Sequence, residues 1–117
     1  MTVRHDSVVE DVPFRAALRD VVARLDAFER GDRYDVGPTI FAERPWTPDS
    51  SAAVLREDAV GRVAPSLPTY AYLVEVDIAR DVLRVWSTWR NGATPTTDQA
   101  VAAVIHYAEH DTYQPVE

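Results

Sequence analysis

His106, Glu109 and His110 are the residues of this chain whose types and spacing come closest to a reaction centre. An H-x-x-E-H run on a helix sets two imidazoles four residues apart, so that both can reach one zinc ion while the glutamate polarises a bound water. Such a site also needs a third protein ligand and a helix face turned toward a cleft. Only Asp111 and Glu117 follow the motif as carboxylates, and the one other histidine is His5, within a polar stretch 1–10 expected to be loose.

The helix that must carry the motif can be drawn from its own residues. Thr94 can cap it with Pro95 at the first helical position, or Thr96 and Gln99 can form a capping box. Val101, Val104, Ile105 and Ala108 fall at i, i+3, i+4 and i+7, which makes one apolar stripe. At roughly 100° per residue, His106 and His110 lie about 150° and 170° from the centre of that stripe, and Glu109 about 90°. The histidines are therefore expected to face water beside Gln99 and Ala103, near a helix C-terminus that favours positive charge. Adventitious nickel or zinc binding is compatible with that placement; a resident metal, a cofactor or a catalytic role is not expected.

Other chemistries find less support. Cysteine is absent, and Ser7, Ser50, Ser51, Ser66 and Ser87 occur in no nucleophile-elbow context. The glycines at 31, 37, 61 and 92 make no phosphate-cradling loop. Paired carboxylates such as Glu57-Asp58 and Glu10-Asp11 read as solvated turns in an acidic chain. Trp86, Trp89 and Tyr72 suggest an aromatic core cluster rather than a pocket. Trp46, between prolines, either plugs the edge of the core or stands at an interface, where tryptophan often anchors binding.

Composition bounds the class. With 117 residues, 46% hydrophobic and 26% charged, the chain is expected to fold as one globular domain, 1–117. Every basic side chain is arginine, and the net charge is −7. That balance disfavours nucleic acid, which needs clustered cations, and suits a basic protein partner. No secretory leader, membrane span or disulfide is expected, so a cytoplasmic location is the default.

The remaining elements follow from periodicity. Phe14, Leu18, Val21, Leu25 and Phe28 predict an amphipathic helix over 12–30, capped by Asp11 and ended by Gly31, with Asp20–Arg24 and Asp26–Arg30 pairs outside. Residues 32–43 have broken strand character, 43–51 read as a turn around Trp46, and 52–56 make a short strand. After a polar turn at Glu57-Asp58 and a proline-containing connection over 62–69, residues 70–76 form a strand with Tyr72, Val74 and Val76 on one face. Asp77 then caps a helix whose Ile78, Val82, Val85 and Trp89 share a face, with Trp86 on its flank and Asn91-Gly92 at its end. The order α-β-β-β-α-α predicts an α+β domain, with helices on one side of a short, mainly antiparallel sheet.

Three blocks in order carry a resemblance: Trp46 through Leu55, a tryptophan loop entering an apolar strand; Tyr72 through Trp89, a strand followed by a D-I-A-R-D-V helix; and Ala103 through Tyr113, AVIHYAEHDTY. Over about residues 12–113 the chain resembles a family of small bacterial proteins, some of which serve as immunity proteins against contact-dependent or related polymorphic toxins. That family has Asn ahead of the final aspartate and an aromatic pair near Tyr107. Here His110 stands in the Asn-like place and His106 replaces an aromatic, so the pattern calls for neither histidine. The resemblance implies a non-enzymatic protein, monomer or homodimer, that binds a cognate toxin and blocks it. Trp46, Glu57, Asp58, Glu109 and Asp111 are the candidate contacts, as exposed acidic or loop positions. The alternatives are a metal-dependent hydrolase using His106, Glu109 and His110, and an adaptor domain for another partner.

Overall fold

Among the described residues, four short segments pair into one antiparallel sheet. The computed structural model describes residues 14–28, 37–56 and 67–116. In it, β1 (Phe14–Ala17), β2 (Thr39–Glu43), β3 (Ser51–Leu55) and β4 (Tyr70–Glu75) take the order β1-β3-β2-β4. Among the described residues, three helices pack on one face: α1 (Leu18–Ala23), continued by a 3₁₀ turn at Leu25–Ala27, then α2 (Val76–Thr88) and α3 (Thr97–His110). The domain is α+β, as the sequence predicts. No described helix is long and apolar enough to cross a membrane.

The strand pattern explains the two faces. Ile40 pairs with Val54 and Ala42 with Ala52, and these four residues join Leu18, Val21, Val76, Val82, Val101 and Val104 in the main core. Ala53 and Leu55 point the opposite way into a smaller cluster with Leu67, against which Phe41 and Tyr70 pack. Successive side chains alternate across a sheet, so a strand buried on both faces reads as a continuous apolar run, which is what AAVL is. The alanines of β2 and β3 on the helical face leave room for close helix approach.

The predicted helix over 12–30 is a correction: its start at 12 and its end at Gly31 lie outside the described residues, and Phe14–Ala17 is a strand. Phe14 and Leu18 fit helical spacing, but Phe14 and Ala16 equally fit alternation. The partner decides, because β3 offers a full ladder from Phe14↔Val54 to Ala17↔Ser51. The chain then enters α1 with no intervening loop and no side-chain cap. Its first free amides are satisfied by the β2–β3 loop instead: Leu18 N–H donates to Ser50 O at 2.8 Å, and Arg19 N–H to Pro48 O at 2.9 Å.

The junction of β4 and α2 repeats this device. Val76, expected in the strand, is the first helical residue, and its N–H donates to Pro38 O at 2.9 Å. Asp77 lies in the first turn rather than at the cap. A bulge between Ile40 and Phe41 also shifts the register of β4, so that Ile40 faces Val74 while Phe41 faces Tyr72. Leu73 and Val74 are consequently both buried in the main core, and Tyr72 is turned out, 53% exposed. Tyr72 and Val74 therefore do not share a face.

Two helical stripes are rotated from their expected positions. On α2 the buried residues are Val76, Ala79, Val82 and Trp86; Trp86 is central and Trp89 is exposed. On α3 they are Ala100, Val101, Ala103 and Val104, a stripe turned about 70° from the one drawn through Ile105 and Ala108. Helix α3 touches both α1 and α2, and that double contact favours alanine over larger side chains on the inner face. Ala103, expected in water, is thus buried. The capping box of Thr96 and Gln99 is present, with Thr96 Oγ1 accepting from Gln99 N–H at 3.1 Å and Gln99 Oε1 from Thr96 N–H at 2.9 Å. Asn91 and Gly92, at φ 59° and 83°, end α2 as expected, with Gly92 N–H donating to Ser87 O at 2.8 Å.

Candidate functional site

The loop Arg44–Ser50 is built to hold one tryptophan. Ser50 Oγ accepts from Thr47 N–H at 2.9 Å and donates to Pro45 O at 3.2 Å, closing the loop on itself. Trp46 Nε1 donates to Ala42 O at 3.0 Å, and the Arg44 guanidinium lies 4.4 Å from the centre of the indole. An arginine at that distance over an indole is a cation–π contact. Trp46 is half-buried and packs against the main core. Of the two roles expected for it, packing at the edge of the core is the one seen; its other side lines a groove of about 620 Å³ with Arg44, Pro45, Ala108 and Glu109.

Glu109 is the hinge of this surface. On the observed wheel of α3 it lies about 160° from the buried stripe, further than either histidine. It closes the Trp46 groove and also borders a second hollow of about 310 Å³, lined in part by Pro48, Ala102, Ile105 and His106. Of the five candidate contacts, Trp46 and Glu109 are thus brought together. Asp111 stands apart at the C-cap of α3 in the left-handed region, φ 57°, its N–H donating to Tyr107 O at 2.7 Å. Glu57 and Asp58 lie outside the described residues.

The two histidines are neighbours. The rings of His106 and His110 are 4.5 Å apart, and His110 Nε2 is 4.0 Å from Glu109 Oε1. His110 is exposed, whereas His106 is half-buried at the edge of the second hollow rather than fully in water. Among the described residues no three His, Asp or Glu side chains are placed to hold a metal ion. His5 lies outside the described residues. The hydroxyls of Ser50 and Ser51 are committed elsewhere, Ser51 to the Tyr70 hydroxyl at 2.6 Å.

The expected grouping of Trp86, Trp89 and Tyr72 is not assembled. Trp86 is in the core, with Arg90 stacked 4.4 Å from its ring. Tyr72 meets Phe41, and Trp89 meets Tyr113 at 5.8 Å, which in turn meets Tyr107 at 5.4 Å. Burial, then the charges of Asp111, Tyr113, Asp81 and Glu75, raise the Tyr107 hydroxyl above the usual tyrosine range. Burial and Glu75, which also accepts its hydrogen bond, do the same for Tyr72. Sequence reasoning passed over Arg44, Tyr107 and Tyr113 as working parts. Arg44 had a signal, an arginine two residues before a tryptophan; the tyrosines had only their place in the third block. Comparisons with protein-family models, curated proteins and solved structures gave no match.

Proposed function

We propose that this chain is a non-enzymatic, cytoplasmic protein-binding domain of the immunity type, which neutralises a bacterial toxin by covering its active site. The observation that carries this reading is the pairing of Trp46 and Glu109 across one groove, on a chain of net charge −7. A fixed aromatic anchor beside an acidic side chain suits a basic protein surface, where complementary charge speeds encounter and the indole supplies buried area. Asp111, Glu57 and Asp58 are further acidic contacts in this reading. The resemblance of the three sequence blocks to immunity proteins points the same way.

Co-purification with the product of the neighbouring gene tests it. A stoichiometric complex that inhibits that product, and is weakened by Trp46→Ala or Glu109→Gln, is expected. A neighbour that is no toxin, or one that forms no complex, removes the reading. A second reading, a metal-dependent hydrolase, draws on the 4.5 Å separation of the two imidazole rings. Stoichiometric zinc in untagged protein, lost on His106→Ala, would favour it over toxin binding.

A further inference from the structure

After α3 the chain turns back on itself. Asp111, at φ 57°, closes the helix, and residues 112–116 form no helix or strand. Gln114, Pro115 and Val116 line one hollow with Gln99 and Ala102, so the segment runs back beside α3 toward its start. Among the described residues no backbone–backbone hydrogen bond holds residues 112–116. Two side-chain contacts hold them instead. The Tyr113 ring sits against Trp89 at 5.8 Å and Tyr107 at 5.4 Å. The Arg90 guanidinium, stacked 4.4 Å from the Trp86 ring, donates through Nη1 to Trp86 O at 3.1 Å. Through Nη2 it donates to Pro115 O at 3.1 Å and Gln114 O at 3.5 Å. Pro115 restricts Gln114 to extended backbone and brings no N–H that needs a partner. An aromatic ring, two carbonyls and a proline-stiffened backbone are the parts by which a groove holds a separate peptide.

We propose that Trp89, Tyr107 and Arg90 form a peptide-docking site, occupied in cis by residues 113–115 and open, when that segment lifts, to an extended partner segment with an aromatic residue two positions before a proline. The occupant's chemistry is set by the segment already seated there, Tyr113-Gln114-Pro115. Arg90 reads carbonyl oxygens, which every residue carries, so selectivity comes from the ring and the proline. Tethering favours the cis occupant, because a short linker gives an effective concentration of about a millimolar. A free segment of equal fit gains the site only when the tyrosine contact is lost or when the partner adds contacts of its own. The cis segment is therefore an autoinhibitory contact. The site shares no lining residue with the Trp46 groove and does not depend on the toxin-binding reading.

The full chain is used throughout, and the probe is a free peptide of residues 111–117. NMR follows the amides of residues 112–116 and the three indole N–H signals, each assigned through its Trp→Phe variant. In the native chain the Tyr113 and Gln114 amides should be as rigid as those of α3. Tyr113→Ala should free them and move the Trp89 signal, with the urea midpoint nearly unchanged. Probe added to Tyr113→Ala should return the Trp89 signal toward its native position and saturate. The native chain should bind the probe about 10-fold more weakly, because its own segment competes. A probe carrying Tyr113→Ala should not saturate. Arg90→Lys, made in the Tyr113→Ala chain, keeps the charge but has no planar fork for the carbonyls, and should weaken the probe about 3-fold or more. Segment amides that stay rigid in Tyr113→Ala overturn the proposal, as does a probe that fails to saturate there. So does equal affinity for the native chain and the variant, an affinity indifferent to Arg90→Lys, or movement of the Trp46 signal in place of Trp89.

Discussion

Trp46 and Trp89 are both partly exposed tryptophans near the ends of secondary elements, yet the fold treats them differently. The first donates its indole N–H to Ala42 O, carries Arg44 on its face and packs on the core from a loop closed by Ser50. The second sits at the C-cap of α2, touches Tyr113 by a ring edge and is 49% exposed. Trp46 is thus part of the structure that supports a groove, and Trp89 is a surface the structure holds up. Changes at the first should register in stability as well as binding. Changes at the second should leave stability nearly unchanged.

Trp86 marks the upper limit of that scale. It is 8% exposed, lies in the main core, and its ring and carbonyl both engage Arg90. Trp86→Ala is expected to cost about 3–5 kcal/mol, read from urea unfolding, as for other large aromatic truncations in cores. A loss below about 1 kcal/mol would show that α2 relaxes over the cavity, and the contrast with Trp89 would lose its reference. Trp46→Ala should fall between, about 1.5–3 kcal/mol, from lost apolar burial and a lost hydrogen bond. Trp46→Phe keeps most of the ring and removes the N–H donor to Ala42 O, for about 1 kcal/mol. If Phe costs as much as Ala, the hydrogen bond and not the packing fixes the loop.

Trp89→Ala should change stability by about 0.5 kcal/mol or less, since it removes a half-solvated ring with one aromatic neighbour. A loss comparable to that of Trp46→Ala would erase the distinction between the two residues and assign Trp89 to the fold.

Those assignments were only partly legible in the sequence. The α+β class, the existence of β3 and β4 to within a residue at their ends, one of the two caps offered for α3 and the Asn91-Gly92 stop follow from local chemistry. The misplacements share one cause. Phe14–Ala17 pairs with β3, and strand partners 34 to 40 residues away leave no trace in local periodicity. The bulge opposite Ile40 puts Leu73 and Val74 on one side, against strict alternation, and so frees Tyr72. Ala103 belongs to the inner face of α3 because two helices press on it, and alanine gives no hydropathy signal strong enough to say so. The Trp46–Glu109 groove joins residues 63 apart in sequence, so their types could be nominated but their meeting could not.

The smallest neutral-pH effect is expected at Tyr107, and there the comparison can be sharpened by pH. Tyr107→Phe keeps the ring that meets Tyr113 and removes only the hydroxyl, so stability at pH 7 should shift by no more than about 0.5 kcal/mol. The hydroxyl is held above its usual range by burial and by neighbours that include Asp111, Asp81 and Glu75. A folded-state value above the unfolded one means that the folded chain retains the proton more tightly. Its contribution is therefore complete below the ordinary tyrosine value of about 10 and lost as pH rises through the folded value. Urea midpoints of the native chain should fall as pH climbs above about 10, and those of Tyr107→Phe should fall less. Tyr72→Phe gives a second variant for comparison, because its hydroxyl is raised by burial, by Glu75 and by Tyr107 itself. If Tyr107→Phe has the same alkaline slope as the native chain while Tyr72→Phe flattens it, neither burial nor the charges around Tyr107 hold its proton.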